Sequence, residues 1–209
     1  PLESANAMVV TITATNASGT GTGTLTLTIQ PGSQTITFGA LSPVVFGTPP
    51  FNLAATGGNS GEPVTYTSSN PLVASISGNV VTIVGAGSTV ITASQAGNSD
   101  YNVAPDVSQT LDVTQASQTI TFGPLSPVLT TSPSFSLSAT GGASGNPITF
   151  VSSDPNVATI SGNVVTIIGA GSTTITASQA GNTNFLVATN VSQVLIVSDP
   201  TLIAQVITF

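Results

Sequence analysis

The sequence lacks lysine, arginine, histidine, cysteine and tryptophan, and its charge rests on seven carboxylates: Glu3, Glu62, Asp100, Asp106, Asp112, Asp154 and Asp199. Without imidazole or thiolate there is no proton shuttle or nucleophile tuned near neutral pH. Without lysine or arginine there is no clamp for phosphate, carboxylate or a developing oxyanion. Nucleic acid is excluded as a partner, because its affinity comes largely from cations that displace counterions, and a net charge of −7 would be repelled. The missing cysteines exclude disulfides and thiolate metal sites, so stability must come from apolar cores alone. Missing lysine also excludes intramolecular isopeptide cross-links and, with arginine absent too, trypsin-like cleavage. No catalytic, cofactor-binding or metal-ligating residue is assigned, and no cofactor is expected.

Long apolar runs are absent as well. None approaches the ~18 residues of a membrane-spanning helix, and no basic leader precedes an apolar stretch at the start. Mean hydropathy is nevertheless +0.44, and polarity is supplied by Ser, Thr, Asn and Gln, with only 3% of residues charged. Cytosolic surfaces typically carry about 25% or more. An extracellular or cell-surface location fits this composition.

What the chain does contain is a repeat. Ser33-Gln34-Thr35-Ile36-Thr37-Phe38-Gly39 recurs as Ser117-Gln118-Thr119-Ile120-Thr121-Phe122-Gly123, 84 residues on (117 − 33). The register holds without a gap: Phe51 falls on Phe135, Gly78 on Gly162, and Ser108-Gln109 on Ser192-Gln193. A fixed long period marks an array of similar units. Gln205-Val206-Ile207-Thr208-Phe209 echoes Gln118 to Phe122 as the first strand of a third unit. At the other end, Val10 to Ala14 and Leu25 to Ile29 alternate apolar residues with Thr, and read as the last strands of a preceding sandwich. Gly19-Thr20-Gly21-Thr22-Gly23, which lacks the lysine and following helix of a phosphate loop, reads as the hairpin loop between them.

Inside each repeat the apolar period is two, with β-branched residues punctuated by Gly, Pro and Asn, which predicts short strands and no helices. Strands are expected near 34–38, 51–56, 64–68, 73–77, 80–84, 88–95 and 107–114, and 84 residues later. Ile36, Phe38, Phe51, Leu53, Ile76, Ile83, Ile91, Leu111 and Val113 meet identical residues in the second copy and are assigned to the core. Thr67/Val151, Val90/Thr174, Thr110/Val194 and Asp112/Ile196 exchange polar for apolar and are assigned to solvent or a neighbour.

From Ser68-Ser69-Asn70-Pro71 through Gly78-Asn79 to Gly85-Ala86-Gly87-Ser88-Thr89-Val90-Ile91-Thr92-Ala93, the sequence resembles the bacterial immunoglobulin-like group 2 family. The second copy does so from Ser152-Ser153-Asp154-Pro155 to Ile175-Thr176-Ala177, and the resemblance covers about residues 33 to 198. Residues 1 to 30 look more like the end of another immunoglobulin-type domain of bacterial surface proteins. The resemblance implies an all-β fold of tandem immunoglobulin-like β-sandwiches, seven short strands per repeat, arranged as an extended rod. It implies spacer units like those in the stalks of intimin- and invasin-type adhesins, and transfers no site residues. The expected division is 1–31, the C-terminal strands of a preceding domain; 32–115, repeat 1; 116–200, repeat 2; and 201–209, a linker and the first strand of a following repeat.

Two loops could carry more. Asp100, Tyr101 and Asp106 lie before the last strand of repeat 1, where they could bind calcium or a sugar. Calcium asks for about six to eight oxygen ligands, and repeat 2 puts Asn184, Phe185 and Asn190 at these places, so a shared ion site is not expected. Tyr101 and Phe185 read either as plugs at the end of their own sandwich or as a stacking platform. Glu62, which faces Asn146 in the alignment, reads as a solvated turn residue. Asn16-Ala17-Ser18 and Asn190-Val191-Ser192 fit the glycosylation acceptor pattern that Ser/Thr-rich chains produce by chance. The expected function is a structural segment of an extracellular bacterial stalk or filament. Its partners are neighbouring immunoglobulin-like domains or identical subunits joined head to tail by donation of residues 205–209. The alternatives are an adhesin that binds glycan or cell-surface protein through loops 97–106 and 181–190, and an accessory module of a glycoside hydrolase.

Overall fold

A computed structural model describes residues 8–27 and 29–201. The third-unit start at 205–209 lies outside the described residues, as do residues 1–7. The chain divides into two compact units between Val113 and Thr114. Among the described residues every regular element longer than a turn is a strand.

At the start, β1 (Met8–Asn16) and β2 (Gly19–Leu27) form an antiparallel hairpin. The expected loop at Gly19 to Gly23 is corrected: those residues are strand, and only Ala17 and Ser18 make the turn. The reason lies in the register, which pairs Thr11 with Thr24, Thr13 with Thr22 and Thr15 with Thr20. Cross-strand threonine pairs and their β-propensity outweigh the alternating glycines.

The first sandwich contains β3 (Thr37–Phe38), β4 (Val44–Val45), β5 (Phe51–Asn52), β6 (Ala55–Thr56), β7 (Val64–Ser68), β8 (Ala74–Ser77), β9 (Val80–Ile83), β10 (Gly87–Gln95) and β11 (Val107–Thr114). One sheet has the order β4-β11-β10-β7, a second β5-β9-β8, and β3 pairs with β6. The second sandwich contains β12 (Val128–Leu129), β13 (Phe135–Ser136), β14 (Ile148–Ser152), β15 (Ala158–Ser161), β16 (Val164–Ile167), β17 (Gly171–Gln179) and β18 (Val191–Ser198). Its sheets run β12-β18-β17-β14 and β13-β16-β15, and the counterpart of the β3–β6 pair is one bridge between Thr121 and Thr140.

Two details depart from the sequence expectation. The stretch 51–56 is not one strand: Phe51 pairs with Val81 in one sheet, while Ala55 pairs with Phe38 in another. The buried Leu53 sits at the crossing. The opening segment 34–38 pairs only at Thr37 and Phe38, then reaches the edge of the other sheet as β4, a strand the period-two pattern was too short to mark.

The turns follow from local chemistry. Gly78 and Gly162 hold φ of 61° and 60°, the left-handed conformation that a tight hairpin asks of its glycine. The Asn70 and Asp154 side chains accept the Leu72 and Asn156 N–H groups, turning the chain at the following proline. The passage from β9 to β10 changes sheets at Gly87, where a Cβ would lie 3.0 Å from Val73 Cγ2.

Each core lies between its sheets. Ile91, Leu111 and Val81 are fully buried, as are Ile175, Leu195 and Val165. Ile36, Phe38, Leu53 and Val113 are buried with them, while Phe51, Ile76 and Ile83 are half-buried against the same cluster. The Phe38 ring meets Tyr66 edge-on at 5.7 Å, and Phe122 meets Phe150 at 5.4 Å. The exchanging positions Val151, Val194 and Ile196 are 63%, 53% and 49% exposed, on the outer face.

Candidate functional site: the loop end of each sandwich

Polar order concentrates at one end of each sandwich, where the chain comes in and the longest loops converge. Six polar side chains are buried in the two repeats: Gln34, Thr89 and Gln95, and their counterparts Gln118, Thr173 and Gln179. All are satisfied, and no buried side-chain nitrogen or oxygen among the described residues lacks a partner.

Gln34 Nε2 donates to the carbonyls of Ala96 (3.0 Å) and Asn102 (2.7 Å), and its Oε1 accepts the Ser60 N–H at 3.0 Å. Gln95 Oε1 accepts the Gly58 N–H at 2.6 Å and its Nε2 donates to the Glu62 carbonyl at 2.7 Å. Repeat 2 rebuilds both: Gln118 bonds Ala180, Leu186 and Ser144, and Gln179 bonds Gly142 and Asn146. The room comes from glycine. A Cβ at Gly57 would lie 2.6 Å from Gln95 Nε2, and one at Gly58 would lie 2.6 Å from Gln34 Cβ. Glu62 is exposed and contributes its backbone carbonyl here, so Asn146 can replace it without loss of this bond.

The loops 97–106 and 181–190 are fastened locally. Asn98 Oδ1 accepts the N–H groups of Asp100 and Tyr101 at 2.8 and 2.9 Å, and its Nδ2 donates to Ser60. Asn182 does the same for Asn184, Phe185 and Ser144. Tyr101 and Phe185 are half-buried and bridge the incoming chain at Gly32 and Ala116. The Tyr101 ring lies 3.3 Å from where a Gly32 Cβ would stand, so it covers the inlet. Beside them Val103, Leu186 and Val187 are exposed, and Phe185 and Leu186 line a shallow depression of about 410 Å³ with Gln115 and Asn182.

Asp100, exposed Asp106 and the other acids do not converge. Among the described residues no three carboxylates come together as a metal site would need. The Thr201 hydroxyl, then the Thr201 N–H, donate to the Asp199 carboxylate and hold its pKa below the ordinary value. No helix of the described residues is long and apolar enough to cross a membrane.

The glutamines were visible in sequence only as identical letters 84 residues apart. Their signal was the recurrence, in both copies, of a Gln together with a Gly-Gly pair at 57–58 and 141–142.

Residues 49–97 match the family model of the intimin immunoglobulin-like domain. No match is found among curated protein sequences. Among solved structures, Drosophila N-cadherin EC1-4 is similar at 12% identity and a TM-score of 0.32, over 90% of this chain, which spans 57% of that chain's length. Domains 4 and 5 of the S-layer protein SbsC are similar at 17% identity and a TM-score of 0.34, over 70% of this chain and 82% of that one. The human desmocollin-1 ectodomain gives 11% and 0.35, over 88% and 46%.

Proposed function

Because the chain is a tandem of bacterial immunoglobulin-like domains, we propose that it is a non-catalytic structural spacer of an extracellular, cell-surface stalk or filament. One observation carries this reading: the chain enters each sandwich at one end and leaves it at the other. Ala116 bridges Phe185 just ahead of β18, and Ser198 ends β18 beside Leu129, roughly 25 Å away for an eight-residue strand. Only Gln115 separates Thr114, the last residue of β11, from Ala116. Each repeat therefore advances the chain by about the length of a strand, and added repeats add reach. The division at 32–115 and 116–200 is part of this proposal.

The test is length. Insertion of a further copy of residues 32–115 is expected to increase the maximum dimension, measured by small-angle X-ray scattering, by a constant step per copy. A dimension that does not grow with copy number refutes the spacer. The apolar side chains Val103, Leu186 and Val187 beside the half-buried rings favour a second reading, adhesion through the loop ends. Saturable binding of the chain to a glycan array, lost on Val103→Ser and Val187→Ser, would establish it.

A further inference from the structure

We propose that in each repeat the opening segment forms a force clamp, loaded in shear, with the last strand and the loop that leads into it, and that Gln34 and Gln118 are its principal ties to that loop. The inference rests on the spacer reading and says how such a spacer resists tension. In a covalent array, tension enters repeat 2 at Ala116 and leaves at Ser198, so it must cross whatever joins the opening segment to β18.

Those joints run from the end of β17 and the loop before β18 to the last residue of β18. At the inlet, the Ala116 N–H donates to Asn184 and its carbonyl accepts from Leu186, both at 2.9 Å. Next, Gln118 donates to Ala180 (3.1 Å) and Leu186 (2.8 Å). Then Gln193 Nε2, from β18 itself, donates to the Phe122 carbonyl at 2.8 Å. Last, β12 pairs with β18 in parallel, Val128 with Val197 and Leu129 with Ser198, and the Thr130 N–H reaches the Ser198 carbonyl at 3.0 Å. The pulled ends are the start of one segment and the finish of a strand running the same way. Tension therefore slides the two past each other and strains all these bonds together.

A backbone ladder could not do this alone. The opening segment first pairs with Thr140 at Thr121, away from β18, and Pro124 and Pro127 bring no N–H to the gap before β12. Two glutamine amides span what the ladder leaves open, and the Gln118 side chain, buried at 8% exposure, keeps its bonds out of competition with water. Repeat 1 has the same arrangement: Gly32 bonds Asp100 and Asn102, Gln34 bonds Ala96 and Asn102, Gln109 bonds the Phe38 carbonyl at 2.8 Å, and β4 lies beside β11. Gln95 and Gln179 supply a control within the molecule. They are equally buried, but they tie the loops at 57–62 and 141–146 to the end of β10 or β17, off the path of the force.

Single-molecule force spectroscopy on the full chain decides the matter. The chain has no native cysteine, so Ala170→Cys with Asp199→Cys gives unambiguous handles. Gly171 pairs with Val197, so these handles peel β17 from β18 starting at one end. Repeat 2 is expected to resist at least about twofold more force through the chain ends than through these handles, forced unfolding being set by the barrier along the pulled direction. Gln34→Met with Gln118→Met should reduce the end-to-end force to about half and leave the 170–199 force unchanged. Gln95→Met with Gln179→Met should lower thermal stability while leaving the end-to-end force as it was. Equal forces in the two directions, or equal loss of end-to-end force from both glutamine pairs, overturns the clamp. Should the Gln34/Gln118 variant not fold, Gln109→Ala with Gln193→Ala, at half-buried side chains, must by itself lower the end-to-end force, and an unchanged force overturns the proposal. The spacer reading is judged separately, by the step in length per added repeat.

Discussion

The two sandwiches carry identical residues at their buried core positions and differ at several exposed ones. Ile91 and Ile175, Leu111 and Leu195, Val81 and Val165, and Ala93 and Ala177 are fully buried pairs 84 residues apart. The buried Thr89 and Thr173 hydroxyls meet equivalent partners too, Ser68 at 2.9 Å and Ser152 at 2.7 Å. On the outer face of the four-stranded sheet, repeat 1 shows Thr67, Thr110 and Asp112 where repeat 2 shows Val151, Val194 and Ile196. What both copies share is what the fold requires, and it includes polar atoms whose partners lie in loops. What they exchange is available for contacts that only one repeat makes.

The sharpest way to break this equivalence is to charge one core at a time. Ile91→Asp is expected to unfold repeat 1 and Ile175→Asp repeat 2, because an unpaired buried carboxylate costs several kcal/mol against a domain stability of roughly 5–15 kcal/mol. Hydrogen exchange should show the loss confined to the mutated repeat. Val90→Asp, one residue away but 39% exposed, should be nearly silent. Equal destabilisation at positions 90 and 91 would contradict the strand register.

Next in size is the glycine beneath each opening glutamine. A Cβ at Gly58 would stand 2.6 Å from Gln34 Cβ, and one at Gly142 2.6 Å from Gln118 Cβ. Cβ atoms cannot swing aside as a side-chain tip can, so the backbone must move. Gly58→Ala and Gly142→Ala should each cost about 1–3 kcal/mol in chemical denaturation, the range for overpacking. Gly39→Ala, with open space around it, should cost far less.

These glutamines also mark the limit of what the sequence made legible. The duplication located the inward residues because a core position tolerates only apolar exchange, and β7 at 64–68 and β11 at 107–114 fell where the alternation put them. Val81 and Val73, which also meet identical residues at Val165 and Val157, are buried core residues that the sequence assignment left out. The two-residue β4 and the split of 51–56 are set by which sheet edge lies within reach, a tertiary fact. Gln34 was legible as a repeated letter but not as a buried tie, since the carbonyls that bury it come from Ala96 and Asn102, more than sixty positions away.

One interior difference is small and reversible. The Tyr66 hydroxyl accepts the Ala55 N–H at 2.9 Å in repeat 1, where β6 forms a two-residue ladder with β3. Repeat 2 has Phe150 at that place, and its ladder shrinks to the Thr121–Thr140 bridge. Tyr66→Phe should therefore cost about 1 kcal/mol, the net worth of a hydrogen bond, with faster exchange of the Ala55 amide. Phe150→Tyr should slow exchange at Ala139. An unchanged Ala55 exchange rate would mean that the ladder does not depend on the hydroxyl.

The smallest expected change in stability, and the most telling about function, concerns the outer face. Asp112 and Ile196 occupy equivalent exposed positions opposite Ser88 and Ser172, so exchanging their chemistry should move stability by no more than about 0.5 kcal/mol. Association is a different matter. The chain has no side-chain cations, so carboxylates alone keep copies apart. Within 116–200 only Asp154 and Asp199 do so, against Glu62, Asp100, Asp106 and Asp112 within 32–115. Lowering the pH through about 4 protonates carboxylates, and light scattering should then rise. Ile196→Asp should delay that rise to lower pH by adding charge amid the apolar residues Val151 and Val194, while Asp112→Ile should bring it on earlier. If scattering stays flat down to pH ~3, or if the two substitutions shift it alike, the apolar face of repeat 2 is not what brings copies together.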